Sequence, residues 1–164
     1  MIVLGTDPGL TGAVSCVCSS RGLLDVADLP TCSNGLESGK MRTWLDARKL
    51  SDILAQWAQR FDFHQEDVQA VIERPIAMPR QQIQTAASNF DTLGVIRTVM
   101  ELRGYKPQFI NPRDWKGLFG LTSEKADARK ATLALYPNAP VTRAKDHNRA
   151  ESILIARYWI RTNH

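Results

Sequence analysis

Short apolar runs separated by turn residues dominate the first thirty positions of the chain. Residues 1–6 form an apolar run that stops at the sequence Asp-Pro-Gly of residues 7–9, a pattern typical of a buried strand that ends in a turn. Within residues 13–19 the side chains Ala, Ser and Val at odd positions alternate with Val, Cys and Cys at even positions, which predicts a second strand. Residues 23–29 predict a third strand after a turn. Together these segments predict a three-strand meander.

The rest of the chain alternates between helical and strand patterns. Four segments place apolar residues at helical spacing: 45–61, 85–103, 124–135 and 148–160. Two short apolar runs, residues 68–73 and 107–110, predict further strands, whereas the polar residues 30–40, rich in Gly, Ser and Asn, predict a loop. A meander followed by alternating helices and strands predicts an α/β fold, with a mixed five-stranded sheet covered by helices on both faces.

Length, charge and cysteine content narrow the class of protein. A chain of 164 residues can bury one good core, so residues 1–164 are predicted to form a single domain. The net charge of +4 is compatible with a polyanionic partner but is weak support on its own. Cys16, Cys18 and Cys32 are predicted to be reduced, and the absence of a leader-like or membrane-spanning stretch predicts a cytoplasmic protein without membrane contact.

Two acidic residues stand where predicted strands end. Asp7 follows the first strand, and Glu73 ends the apolar run that precedes Pro75. In a mixed α/β sheet the crevice beyond the strand ends is the usual functional site, so neighbouring strands would bring the two carboxylates together to hold a divalent cation. Taken alone, Asp7 is better explained as a turn cap and Glu73 as a solvated strand end.

A third acidic group precedes the last predicted helix. Helical spacing places Glu151 on the same side as Leu154 and Ile155, at the head of the face expected to pack on the sheet. An acid in the first turn of a helix is also common for electrostatic reasons, and Asp146 could simply be an N-terminal cap. The three acids therefore indicate a functional site only when they are considered together.

The order of these motifs resembles the RuvC-type Holliday junction resolvases, and phage-type members in particular, within the ribonuclease-H-like superfamily. The resemblance lies in Gly-Thr-Asp-Pro-Gly-Leu-Thr-Gly at residues 5–12, Ile-Glu-Arg-Pro at 72–75 and the segment 146–156. Residues 77–98 resemble the central helix region of that family, and residues 111–125 resemble its basic stretch. The resemblance spans nearly the whole chain.

The resemblance implies a set of metal ligands. It makes Asp7 and Glu73 catalytic ligands and places Glu151 at the last acidic ligand of the family. Three residues before that acid, where family members often carry Asp or His, this chain has Asn148; we therefore predict Asp146 as the fourth acid and keep His147 as the competing candidate for metal or phosphate contact. Such oxygen ligands suit Mg²⁺, with two ions per active site and Mn²⁺ expected to substitute.

Cations that could bind the phosphates of DNA lie in three parts of the chain. The candidates are Arg74, Arg80, Lys116, Lys125, Arg129 and Lys130. Taken singly, each is as well explained as part of a solvated surface. Trp115 could stack on a base, although a buried tryptophan is more common.

The function implied by the resemblance is a Mg²⁺-dependent endonuclease that cuts four-way DNA junctions in DNA recombination and repair. It would make paired symmetric nicks that leave 5′-phosphate and 3′-hydroxyl ends, as a homodimer without a nucleotide cofactor. The candidate dimer face contains Ala86, Ala87, Phe90 and Gly94, and it could instead pack on its own sheet. Alternatives are a related nuclease for flaps, D-loops or RNA–DNA hybrids, a DNA-binding module without catalysis, and an actin-like nucleotide-binding protein, for which the chain is short.

Overall fold

The computed structural model describes residues 1–35, 41–76 and 83–163. Short turns of 3-10 helix at residues 65–67 and 144–146 accompany the regular elements. The strands and α-helices, in chain order, are β1 (Ile2–Asp7), β2 (Ala13–Cys18), β3 (Gly22–Asp28), β4 (Thr31–Gly35), β5 (Met41–Leu45), α1 (Ala47–Phe61), β6 (Val68–Glu73), α2 (Ile83–Leu102), β7 (Gln108–Ile110), α3 (Pro112–Leu118), α4 (Lys125–Leu135) and α5 (His147–Thr162).

The main sheet has five strands in the order β3-β2-β1-β6-β7. The first three strands pair antiparallel as a meander, and β6 and β7 join parallel to β1. The mixed five-stranded sheet predicted from the sequence is therefore confirmed. Its parallel half places the carboxyl ends of β1, β6 and β7 at one edge of the sheet.

Helices cover both faces of this sheet. On one face Ile2 and Leu4 of β1 pack in a core that also contains Leu50 of α1 and Ile96 of α2. On the other face Val3 packs with residues of α3, α4 and α5 in a second core. Because β1 lies between two cores, all six of its residues are buried.

The segment predicted as a loop over residues 30–40 contains a strand, so that prediction is wrong for Thr31–Gly35. This strand, β4, pairs antiparallel with β5 in a separate two-stranded sheet, in which Cys32 lies opposite Trp44. Residues 36–40 of the predicted loop lie outside the described residues. A polar hairpin lacks the hydrophobic alternation by which strands are predicted, because its pairing rather than its burial defines it.

The predicted helices start one or two residues away from their observed starts, and one further helix was not predicted. Helix α1 begins at Ala47 rather than Leu45, because Leu45 ends β5 and the Asp46 side chain caps the helix by accepting a hydrogen bond from the Lys49 amide at 3.0 Å. Helix α3 was not predicted, since its seven residues are too few to show a period; Pro112 begins it.

The sequence also predicts that the chain has no membrane-spanning segment and that its cysteines are reduced. None of the helices in the described residues is long and apolar enough to cross a membrane. The three cysteines are free, with Cys16 and Cys18 buried and Cys32 partly exposed. The prediction of reduced cysteines that pack as small apolar residues is consistent with this burial.

Candidate active site

Asp7 and Glu73 end two neighbouring parallel strands. The register pairs Thr6 of β1 with Ile72 of β6, so the next residue of each strand stands at the same edge of the sheet. Adjacent strands lie about 4.8 Å apart. Alternation along the strands turns both acids to the face that also carries Val3 and Val71, which is the face covered by α5.

Helix α5 lies directly on β1 because Gly5 has no side chain. A Cβ atom at Gly5 would lie 2.3 Å from the Ser152 carbonyl oxygen and 2.6 Å from the Ala156 nitrogen. The Ser15 hydroxyl, on the neighbouring strand, donates a hydrogen bond to the same Ser152 carbonyl at 2.9 Å. These contacts fix the first turns of α5 over the sheet and bring Glu151 toward Asp7.

The three carboxylates interact electrostatically. Burial raises the pKa of Asp7 well above its usual range, and the charges of Glu151 and Glu73 raise it further, while Lys116 opposes the shift. Burial also raises the pKa of Glu73, against the opposing effects of the Lys116 charge and a hydrogen bond from Trp115. The cluster is therefore short of positive charge.

Helix α3 supplies the groups that contact two of the acids. The Trp115 indole Nε1–H donates a hydrogen bond to Glu73 Oε2 at 2.6 Å, and the Trp115 side chain is fully buried. The Lys116 Nζ atom lies 3.5 Å from Glu151 Oε1 and 5.0 Å from the centroid of the Trp115 ring. A single ammonium thus partly balances three carboxylates.

A polar cleft of about 620 Å³ opens beside this cluster. Asp7 and Glu151 line it, whereas Glu73 does not. Polar side chains from the first turns of α2 also line the cleft, namely Gln84, Thr85, Ser88 and Asn89. Lys116, Lys125 and His147 also line the cleft. The open, polar wall suits a charged, hydrogen-bonding ligand better than an apolar one.

The structure separates the two candidates for the fourth ligand. The Asp146 carboxylate is buried and accepts hydrogen bonds from the Arg143 guanidinium, at 2.8 and 3.1 Å, and from the Arg143 amide at 2.9 Å. The Arg143 contact holds the pKa of Asp146 below its usual range. Asp146 lines an adjoining cavity of about 510 Å³, whereas His147 lines both that cavity and the cleft.

Asn148 has a structural contact at this end of α5. Its side-chain Nδ2 donates hydrogen bonds to the carbonyl and, at 3.2 Å, to the hydroxyl of Thr11 in the turn after β1. The next residue, Arg149, forms a two-point ion pair with Asp28 at the end of β3, with distances of 2.6 and 2.7 Å. The start of α5 is therefore tied to the turn between β1 and β2 and to the end of β3.

The predicted DNA-binding cations do not all lie near the acids. Lys116 and Lys125 line the cleft, and Arg74 is exposed just after Glu73, with its guanidinium 5.7 Å from the centroid of the Phe109 ring. Arg129 instead donates to the carbonyl of Thr142 at 3.1 Å, and Lys130 lies on the surface 3.9 Å from Asp127. Arg80 lies outside the described residues.

The carboxylates of Asp7, Glu73 and Glu151 are oxygen ligands of the kind that a hard divalent cation prefers, although they are not yet arranged as a coordination site. Within residues 1–35, 41–76 and 83–163, no three His, Cys, Asp or Glu side chains stand in a ready-made metal-binding arrangement. Glu73 points its Oε2 at Trp115, and Glu151 lies beside Lys116. The pKa values of Asp7 and Glu73 are nevertheless raised, by burial first and then by the charge of Glu151, and a divalent cation stabilises such a group of oxygen donors.

Sequence reasoning missed two contributions to this site. The polar wall from α2 had a usable signal, since Gln84, Thr85, Ser88 and Asn89 recur at the spacing of one helical side. The contact of Trp115 with Glu73 had no such signal, because the two residues are 42 positions apart and α3 was not predicted.

A mixed sheet with acids at the ends of β1 and β6, and a third acid on the helix packed across them, defines an α/β fold of the ribonuclease-H-like type. Solved structures of RuvC share this fold. A structure of T. thermophilus RuvC in complex with Holliday junction substrate matches 98% of this chain and 95% of its own, with a TM-score of 0.65 and 14% identity. A second Thermus thermophilus RuvC structure matches 99% of this chain and 97% of its own, with a TM-score of 0.61 and 14% identity.

These likenesses establish the fold, and the fold predicted from the sequence resemblance is confirmed. Sequence comparison adds nothing to them, because no family model and no curated protein matches the chain.

Proposed function

We propose that this protein is a divalent-metal-dependent endonuclease that resolves four-way DNA junctions by paired symmetric nicks. The observation that carries the proposal is the cluster of Asp7, Glu73 and Glu151 beside an open polar cleft. The cluster occurs on a fold shared with T. thermophilus RuvC, which has been solved in complex with Holliday junction substrate.

Asp7, Glu73 and Glu151 would hold Mg²⁺, two ions per site, and Mn²⁺ would substitute because both ions prefer oxygen ligands. When bound, the metal supplies the positive charge that stabilises the attacked phosphate and activates water for in-line attack. His147 is the better placed fourth ligand, because it lines the cleft while Arg143 holds the Asp146 carboxylate. The ends expected after hydrolysis are a 5′-phosphate and a 3′-hydroxyl.

The cleft contributes groups for the DNA backbone. Lys116 and Lys125 supply positive charge, and the hydroxyl and amide groups of Ser88 and Asn89 can donate hydrogen bonds to phosphate oxygens. The carboxylates of Asp7 and Glu151 line the same cleft and would repel phosphate in the absence of a cation. This arrangement favours catalysis over a module that only binds DNA.

A homodimer would match the approximate two-fold symmetry of a four-way junction, with one site per subunit. The candidate face on α2 is consistent with this role, because Phe90 is 49% exposed and a side chain at Gly94 would meet open space. Ala87 is exposed as well. The exposure of Ala87 and Phe90 supports the proposal that a second copy of the chain packs on this part of α2.

Cleavage of a labelled synthetic four-way junction tests the proposal. With Mg²⁺, the wild type should make paired symmetric nicks, spare a linear duplex and lose activity in the variant Asp7→Asn. Asp52→Asn is the matched control, because Asp52 is an exposed aspartate of α1.

Two other outcomes would redirect the assignment. Cleavage of flaps, D-loops or RNA–DNA hybrids with an intact four-way junction would keep the metal site and reject the resolvase activity. Tight junction binding without cleavage in Mg²⁺ or Mn²⁺ would reject the nuclease and favour a binding module.

A further inference from the structure

The indole group of Trp115 contacts one of the three clustered acids. The side chain is fully buried beneath α3, where apolar packing alone would account for the ring. Its Nε1–H, however, donates to Glu73 Oε2 at 2.6 Å, at the short end for a hydrogen bond to a carboxylate. The bond therefore joins the second core to one of the three clustered acids.

This contact constrains the direction of the Glu73 carboxylate. A buried ring has almost no freedom to rotate, so its N–H fixes where Oε2 must lie. Among the described residues no hydrogen bond reaches Oε1, which leaves that oxygen available. The indole N–H also favours the ionised form of Glu73, opposing the effect of burial on its pKa.

We propose that Trp115 is a positioning residue that holds the Glu73 carboxylate in the orientation needed to bind a divalent cation. The inference rests on the proposed function, because it requires Glu73 to be a metal ligand. Hydrogen bonds to metal ligands fix the ligand's direction, and their loss typically lowers metal affinity or activity about 10- to 100-fold.

The chain offers a matched control for this contact. Trp57 of α1 also donates its indole N–H to a carboxylate, Asp25 Oδ2, at 3.1 Å. Trp57 lies in the core on the other face of the sheet, away from the acid cluster, and Arg60 shares the same acceptor. The substitutions Trp115→Phe and Trp57→Phe therefore remove the same kind of hydrogen bond at two places.

The experiment measures Mn²⁺ binding from the electron paramagnetic resonance signal of the free ion in wild type, Trp115→Phe and Trp57→Phe. Trp115→Phe should bind Mn²⁺ about 10-fold more weakly, while Trp57→Phe should bind like the wild type. Chemical denaturation of the same samples would show that both variants remain folded. A purely structural role for Trp115 predicts no difference in metal affinity between the variants.

A second measurement follows the wild-type protein, with metal-free Glu73→Gln as a supporting comparison. In a ¹H–¹⁵N spectrum the indole signal of Trp115 should move when Mg²⁺ is added, and it should also move in metal-free Glu73→Gln. The Trp57 signal should stay in place in both comparisons.

The outcomes separate this inference from the proposed function. The positioning role is refuted if Trp115→Phe binds Mn²⁺ with the affinity of the wild type. It is also refuted if the Trp115 indole signal does not shift at saturating Mg²⁺, and in both cases the nuclease proposal stands. If the wild type binds neither ion, the proposed function fails at its metal site and the inference falls with it.

Discussion

Asp7 lies in an environment that opposes its own charge. It is 9% exposed, and two further carboxylates raise its pKa together with burial. Replacing Asp7 by Asn removes this repulsion, so metal-free Asp7→Asn should be more stable than the wild type at neutral pH by about 1 kcal/mol. Thermal unfolding in EDTA measures the change, and a variant less stable than the wild type would contradict it.

The same pKa shifts set the pH dependence of the metal-free protein. Because the folded pKa values of Asp7 and Glu73 exceed their unfolded values, the folded chain binds more protons between the two. Their contribution to stability is complete below the unfolded values of about 4 and is lost as pH rises through the folded values. Unfolding in EDTA from pH 5 to 8 should show declining stability, with a smaller decline in Asp7→Asn.

Asp146 and His147 should respond differently to substitution. Asp146→Asn weakens the ion pair between the buried Asp146 carboxylate and the half-exposed Arg143 side chain, so the variant should have a lower free energy of unfolding than the wild type. The same variant should bind Mn²⁺ like the wild type, whereas His147→Ala should bind it more weakly and remain stable. The reverse pattern would establish Asp146 as the fourth ligand.

At the scale of elements, the contact between α5 and β1 sets the position of the third acid. A methyl group at Gly5 would meet backbone atoms of α5 at 2.3 and 2.6 Å, which cannot be relieved by a side-chain rotation. Gly5→Ala should therefore displace α5 and destabilise the fold by about 1–3 kcal/mol or more. It should also weaken Mn²⁺ binding, because Glu151 moves with the helix.

The control for this prediction is Gly117→Ala in α3, where an added Cβ meets no atom of the described residues within 4 Å. It should stabilise the protein by about 0.5–1 kcal/mol, as alanine does in helices. Chemical denaturation compares the two variants. Equal effects at the two positions would mean that the close approach at Gly5 does not govern the packing of α5.

Elements also show what the sequence could predict. Strands β1 and β6 are largely apolar and end at acids, so both strands followed from periodicity. The meeting of Asp7 with Glu73 followed only on the condition that the two strands are neighbours, which the parallel pairing of β1 with β6 satisfies. The hairpin of β4 and β5 and the short α3 left no hydrophobic period, because long-range pairing and packing define them. The hydrogen bond from Trp115 to Glu73 could not be predicted either, because Trp115 lies on α3.

At the scale of the whole molecule, the proposed activity requires two sites placed by symmetry. Gly94 faces open space on α2, close to the half-exposed Phe90, so a second copy of the chain could approach the helix backbone there. We predict that Gly94→Leu prevents this approach and shifts a dimer toward monomer in light scattering. Leu102→Ser, at the 84% exposed far end of the same helix, is the control and should leave the dimer unchanged.

The cleavage pattern tests the predicted dimer interface and the predicted metal site together. Because each subunit carries one acid cluster, a monomeric Gly94→Leu protein should still bind Mn²⁺ at the wild-type affinity while losing the pairing of its nicks. Junctions in a supercoiled plasmid distinguish the cases, since paired nicks linearise the plasmid and single nicks only relax it. A dimeric Gly94→Leu protein that still linearises the plasmid would exclude this face of α2 as the interface and leave the acid cluster untouched.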